Sequence, residues 1–157
     1  MKFADFIHKT AIIKNLKSKD KKEGIKEMVE CIKNAYKLTS PKITDIVESL
    51  MKRETVGSTG IGGGVAVPHA KIPGLKNIIG SFGRSAAGIN FNAIDGGPVH
   101  LVFVILAPPE QESDYLQALR RVSQSIQQAN FCRFLTESKD IKSIIDIFNE
   151  YDETVRC

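Results

Sequence analysis

The chain has 157 residues, 42% of them hydrophobic, which is the size of one globular domain with a single core and leaves no room for a second. Its 22 basic and 18 acidic residues give a net charge of +4, no run approaches the roughly 18 apolar residues of a membrane span, and charged residues throughout the first thirty exclude a signal-peptide apolar region, so a cytoplasmic protein is expected. Cys31, Cys132 and Cys157 are odd in number and lack C-x-x-C spacing, which excludes a zinc or disulfide framework and leaves free thiols as the expectation.

In chain order, the first segment carries Phe3, Phe6 and Ile7, with His8 read as a packing or surface residue. The excess positive charge follows at Lys14, Lys17, Lys19, Lys21 and Lys22. These lysines are interleaved with Asp20 and Glu23 and lack aromatics that stack on bases, so they read as a solvated turn and not as a nucleic-acid or membrane surface. Asp20 and Glu23 have capping-box spacing, and behind them Ile25, Met28, Val29 and Ile32 recur at helical spacing. Ser40 and Pro41 suit the N-cap and first position of a second helix, whose stripe is Ile43, Ile46, Val47, Leu50 and Met51 and which should end near Arg53.

Runs at Val65–Val67, Ile78–Phe82 and Val99–Ala107 lie between Gly and Pro clusters and read as strands. The last is nearly all apolar, as in a central strand covered on both faces. Residues 84–98 read as a surface excursion with a short strand around Ile89–Phe91. A third helix is expected from a cap at Ser113 or Asp114 with Leu116, Leu119, Val122 and Ile126 inward. A short helical turn at Phe131–Leu135 and a last helix marked by Ile141, Ile144, Ile145 and Phe148 complete the chain. The fold class expected is α/β, one domain over residues 1–157, with a mixed β-sheet sandwiched between helices.

Chemistry concentrates in RETVGSTGIGGGVAVPHA, residues 53–70. Gly57, Gly60, Gly62, Gly63 and Gly64 free the backbone to turn successive N–H groups toward an anion. The P-loop pattern fails for want of a lysine, and the dinucleotide pattern fails at Val65, so neither ATP nor NAD is supported and no cofactor or metal is expected. His69 follows a short apolar strand and is held by Pro68, whose ring restricts both itself and Val67. Neutral imidazole is a good phosphoryl acceptor near pH 7, and a cation nearby would offset the charge of the group it receives; Arg53 is the candidate. His100, between the core-like Val99 and Leu101, is expected to be structural.

Arg53, the Ser-Thr-Gly segment, the glycines, Pro68 and His69 in this order resemble the active-site signature of the type-2 enzyme IIA domains of the bacterial phosphotransferase system, the fructose, mannitol and nitrogen-related group. FADFIHKTAIIKNLKSKDKKEGIKEMV is similar to the family's first strand and helix, and PVHLVFVILAPPEQESDYLQAL to its central strand and following helix, so roughly residues 1–150 are covered. The resemblance implies that His69 is phosphorylated by a small histidine-containing carrier protein, with Arg53 beside it and Thr59, Gly60 and Tyr115 supporting the phosphoryl group. Family members usually carry a second histidine where this chain has Tyr115, which can donate a hydrogen bond but cannot supply positive charge. The nitrogen-related branch implies a regulatory output toward a transporter or sensor kinase, and the lack of a permease span or cysteine-bearing transfer domain in these residues favours that output. The alternative is a sugar-specific component that passes the group to a permease IIB subunit. An anion-binding or nucleic-acid-binding module is the third and weakest reading.

Overall fold

The computed structural model describes residues 1–155; Arg156 and Cys157, the last of the three expected thiols, lie outside the described residues. Those residues form strands β1 (Ile7–Ile13), β2 (Gly60–Gly62), β3 (Val65–Ala66), β4 (His69–Lys71), β5 (Ile79–Ile89) and β6 (Val99–Ala107). The helices are α1 (Lys21–Ala35), α2 (Ile43–Val56), α3 (Glu112–Ile126), α4 (Phe131–Glu137) and α5 (Ile141–Thr154). Among these residues Cys31 and Cys132 are free.

The helix starts separate into those set by a side chain and those set by backbone alone. Asp20 caps α1 by accepting from the Glu23 N–H at 2.9 Å, one half of the expected box, and Asp140 caps α5 by accepting from the Ser143 N–H at 2.8 Å. Ser40 and Pro41 do not open α2; its first turn closes on the carbonyl of Lys42, which takes the N–H groups of Asp45 and Ile46. That helix also runs on to Val56, past the expected end at Arg53. In α3 neither Ser113 nor Asp114 caps, since the helix has already begun at Glu112 with Gln111 before it. Its buried face is Tyr115, Ala118, Arg121, Val122 and Ser125, leaving Leu116 half exposed, so the expected stripe is displaced by about one residue. Arg121 takes an inward place because its guanidinium is satisfied there, donating to the carbonyls of Met1 and Val155 and facing the Asp152 carboxylate at 3.4 Å.

The sheet runs in the order β1-β5-β6-β3-β2, with β4 also on β6. Strands β3 and β4 lie parallel to β6, β5 lies antiparallel to it, β1 is parallel to β5, and the sheet is therefore mixed. The expected surface excursion over residues 84–98 holds only for its second part, residues 92–98, because β5 continues through Arg84 to Ile89, which pairs with Val99. The small residues Ser85, Ala86, Ala87 and Gly88 give no apolar alternation and so conceal the strand. Arg84 is buried there, donating from its guanidinium to the carbonyls of Lys14 at 3.2 Å and Leu135 at 2.8 Å.

Along β6 the side chains divide between two cores. Leu101, Phe103, Ile105 and Ala107 face a cluster with Phe3, Phe82, Phe131 and Phe148, under α3, α4 and α5. Val102, Val104 and Leu106 face the other, with Ile25, Met28, Ile32, Ile46 and Leu50 of α1 and α2. The first cluster is largely aromatic; the Phe3 and Phe148 rings stack at 4.5 Å and Phe82 and Phe103 tilt together at 4.8 Å.

The closeness of β5 to β6 leaves no space for a side chain at Gly80, where a Cβ would stand 2.7 Å from the Val104 carbonyl oxygen and 3.2 Å from that of Phe6. Those neighbours are backbone and cannot rotate away. Gly80→Ala should therefore lower stability by about 1–3 kcal/mol, the range of core overpacking, measured by urea unfolding of the parent and variant. Equal midpoints and slopes would show that the sheet spreads without penalty.

Candidate functional site

His69 owes its position to a proline inside a strand. The pairs Val65–Leu101, Ala66–Val102, His69–Ile105 and Ala70–Leu106 all keep one register, so β3 and β4 are a single path along β6, interrupted at Val67 and Pro68. Pro68 has no N–H to give the ladder, yet its carbonyl still accepts from the Ile105 N–H at 3.0 Å. The path therefore resumes without slipping and delivers His69 at the far rim of β6, partly exposed.

The imidazole is oriented by its own strand. Nδ1 lies 2.6 Å from the Val67 carbonyl oxygen, and since a carbonyl can only accept, Nδ1 carries the proton in the neutral ring. The lone pair is then on Nε2. Burial holds the His69 pKa below the ordinary histidine value, and the Arg53 charge pushes the same way, against the Val67 hydrogen bond and the Glu54 carboxylate. The ring is consequently neutral, with a nucleophilic nitrogen, at pH 7.

Behind His69 stands a group that sequence reasoning missed. Glu54, in the last turn of α2, is buried; its Oε1 pairs with Lys21 Nζ at 3.0 Å and accepts from the Thr59 N–H at 3.1 Å. The Thr59 carbonyl accepts from the Val67 N–H at 3.0 Å, and the Val67 carbonyl holds His69. A continuous series of hydrogen bonds thus leads from α1 to the imidazole. Lys21 is not part of a solvated turn as expected: its side chain is 12% exposed, and its ammonium also lies 5.2 Å from the Phe91 ring centroid. The signal that could have found Glu54 is its place in a C-terminal turn, where the helix dipole disfavours a carboxylate and a tertiary cation is needed to hold it.

The remaining expected residues divide. Arg53 and Tyr115 are brought to His69: the guanidinium perturbs both side chains, and the Tyr115 ring lies 6.0 Å from the imidazole, centroid to centroid. Arg53 spends one N–H on the Gly57 carbonyl at 2.9 Å. Burial pushes the Tyr115 phenol up to about 12, so it stays a neutral donor. Thr59 is buried next to Val67, and its hydroxyl has no protein partner.

The glycines are another matter. The N–H of Gly60 donates to Ser58 Oγ at 3.0 Å, and a Cβ there would meet Ala93 at 2.9 Å. Gly62, Gly63 and Gly64 all have positive φ and turn the chain from β2 into β3, with the Gly63 N–H given to Asp95 at 3.1 Å. This turn lies beside the start of β6, while His69 pairs near its end, so it does not cradle an anion around the imidazole as the sequence suggested. His100 donates or accepts no group toward His69; its Nδ1 is bonded to the Ser85 carbonyl at 2.8 Å, the structural role expected. His8 is exposed on β1, bonded to Thr10.

A neutral imidazole with one free nitrogen, within the field of a guanidinium and 6.0 Å from a neutral phenol ring, suits reversible attachment of an anionic group. Residues 5–151 match the family model described as Phosphoenolpyruvate-dependent sugar phosphotransferase system, EIIA 2. The chain is 37% identical over 153 residues to the fructose-specific EIIABC component of Bacillus subtilis, covering 98% of this chain but only 24% of that much longer protein. It is 35% identical over 147 residues to the nitrogen regulatory protein of Bradyrhizobium diazoefficiens, with 94% of each covered. Among solved structures, nitrogen regulatory protein IIA-Ntr from Neisseria meningitidis superposes with a TM-score of 0.83 at 28% identity, over 91% of this chain and 96% of that one.

The electrostatics of His69 can be measured directly. An NMR titration of the imidazole should give a midpoint below the unperturbed value of about 6.5, and Arg53→Ala should raise it by removing one of the two causes of the depression. The sign for folding follows: the stability that this group contributes is present above pH ~6.5 and is lost as the pH falls through the folded midpoint. A parental midpoint at or above 6.5 would contradict the burial of the ring.

Proposed function

The chain belongs to the EIIA 2 family of the phosphoenolpyruvate-dependent sugar phosphotransferase system, a phosphocarrier and regulatory family, and on that premise we propose that His69 Nε2 is the atom that takes the phosphoryl group. The observation that carries this reading is the hydrogen bond from Nδ1 to the Val67 carbonyl, which leaves Nε2 as the unprotonated nitrogen. The donor is a carrier protein phosphorylated on histidine. The Nε2 lone pair forms the new N–P bond while the donor's N–P bond breaks and its electron pair returns to the donor nitrogen. Nδ1 keeps its proton throughout, donated to the Val67 carbonyl, and the positive charge that the ring acquires is close to the phosphoryl oxygens that balance it.

Arg53 supplies charge to those oxygens, Tyr115 donates a neutral hydrogen bond, and the Thr59 hydroxyl, buried without a protein partner, is a further donor. Glu54 and Lys21 act at one remove by holding Thr59, and through it Val67. The output is regulatory: the phosphorylated and free forms differ in their affinity for a cytoplasmic partner such as a transporter subunit or sensor kinase. The TM-score of 0.83 with the nitrogen regulatory structure and the 35% identity with the nitrogen regulatory protein, over 94% of both chains, support this branch. The 37% identity with the fructose-specific protein supports a second reading, in which the group passes to a permease IIB subunit. Offering the phosphorylated protein to purified IIB subunits separates the two, since only the second predicts net transfer.

Phosphorylation with a purified carrier should place a single phosphate on His69, labile in acid and stable in base. Mapping it to His8 or His100 would refute the assignment. Arg53→Ala should fold normally yet slow transfer by an amount equivalent to about 2–4 kcal/mol, the worth of one preorganised oxyanion donor; an unchanged rate would remove Arg53 from the site. In the same assay Tyr115→Phe should weaken retention of the phosphoryl group by about 1 kcal/mol, one ordinary hydrogen bond, with little change in fold stability. Parental retention in that variant would mean that Tyr115 only packs.

A further inference from the structure

His69 and Lys71 lie two apart on β4 and so project from the same face of the sheet, while Ala70 between them turns into the core. Lys71 Nζ is ion-paired with the Glu112 carboxylate in the first turn of α3, and it stands 5.7 Å from the ring centroid of Tyr115, the ring that also faces His69. Resting on the reading of His69 as the phosphoryl acceptor, we propose that Lys71 is a second phosphoryl-binding cation, held by Glu112 in the free protein and released to the phosphoryl oxygens once Nε2 is modified.

Charge demands a second cation. A phosphoryl group brings close to two negative charges at pH 7. Tyr115 offers none, and Arg53 brings one positive charge with part of its guanidinium already committed to the Gly57 carbonyl. Lys21 is engaged by the buried Glu54 and cannot leave it without stranding a carboxylate in the interior. Lys71 is free of such a tie. Its side chain is 41% exposed and that of Glu112 54%, and exposed pairs of this kind contribute little and break easily. Its flexible four-carbon stem spans the two-residue step along the strand.

The exchange is also favourable at the other end. An ammonium bonded to a doubly charged phosphoryl group is a stronger contact than one bonded to a solvated carboxylate. Glu112, once released, remains at the positive end of α3, where the helix dipole stabilises it. Glu112 thus stands in for the phosphate in the free protein, and each phosphorylation cycle swaps one anion for the other.

The equilibrium constant for exchange with the phosphorylated carrier tests this without interference from docking, because a change in docking alone alters forward and reverse rates together. The parent is first equilibrated with the carrier. No phosphate on His69 there would overturn the functional reading itself. Given a phosphorylated parent, Lys71→Gln should shift the constant about tenfold toward the phosphorylated carrier, the loss of one charge-assisted hydrogen bond, and Lys71→Arg should restore most of it. Glu112→Gln should shift it the opposite way by about threefold by removing the competing anion. In the Lys71→Gln background the Glu112 substitution should lose that effect, since the competition is for Lys71. An unchanged constant in Lys71→Gln would overturn the proposal. So would an effect of Glu112→Gln that persists without Lys71, which would reduce Glu112 to a remote charge.

Discussion

Strand β6 has nearly no exposed side chain, and the rest of the molecule follows from having to cover it. Its residues alternate into two separate cores, so helices must lie on both faces of the sheet, α1 and α2 on one and α3 to α5 on the other. Both of its edges are also occupied, by β5 on one side and by β3 and β4 on the other. The second edge matters for chemistry. Since β3 and β4 share one register on β6, Pro68 interrupts hydrogen bonding without moving the chain sideways, and His69 emerges at a rim whose position is set by the central, buried strand. A side chain placed this way needs little reorganisation before it can act.

On that rigid base the orientation of the imidazole is controlled by a series of backbone groups that ends in a buried ion pair. The Lys21–Glu54 pair is weak evidence for stability, because removing two charges from water offsets much of their attraction. Its consequence is positional. Glu54 holds the Thr59 N–H, Thr59 holds Val67, and Val67 decides which nitrogen of His69 bears the proton. The same carboxylate counteracts Arg53 at the imidazole, so the cation can sit near the ring without driving its pKa down unopposed. Glu54 Oε2 and Thr59 Oγ1, buried without protein partners, mark this as a region where polar groups are kept for placement.

Much of this was legible in the residues. The stripe of α1, the cap at Asp20, the central strand and the Pro-His step obey local rules, because a helix period or a proline ring acts within a few residues. His69, Arg53 and Tyr115 were found from one short segment and one resemblance, and the structure brings all three together. The misses have a common cause. The strand through Arg84–Ile89 was hidden because its small residues are shaped by contact with β6, and the inward face of α3 depends on Arg121 reaching the carbonyls near both ends of the described chain.

The glycines show where local reading stops. The positive φ of Gly62, Gly63 and Gly64 was foreseeable from sequence, but which end of β6 they would occupy was not, and their turn went to Asp95 instead of to an anion at His69. By itself the sequence determined most of the helices, the two-sided core and the choice of His69 as the candidate, since those depend on periodicity and on chemistry confined to neighbouring residues. Only the tertiary structure decided the tautomer of that histidine, the pairing of Lys21 with Glu54 and of Lys71 with Glu112, and the neighbours of Tyr115. The tautomer follows from how the backbone bends at Val67 and Pro68 along β6, and the other three depend on side chains from different elements meeting at a few ångströms, which is set by how the helices seat on the sheet.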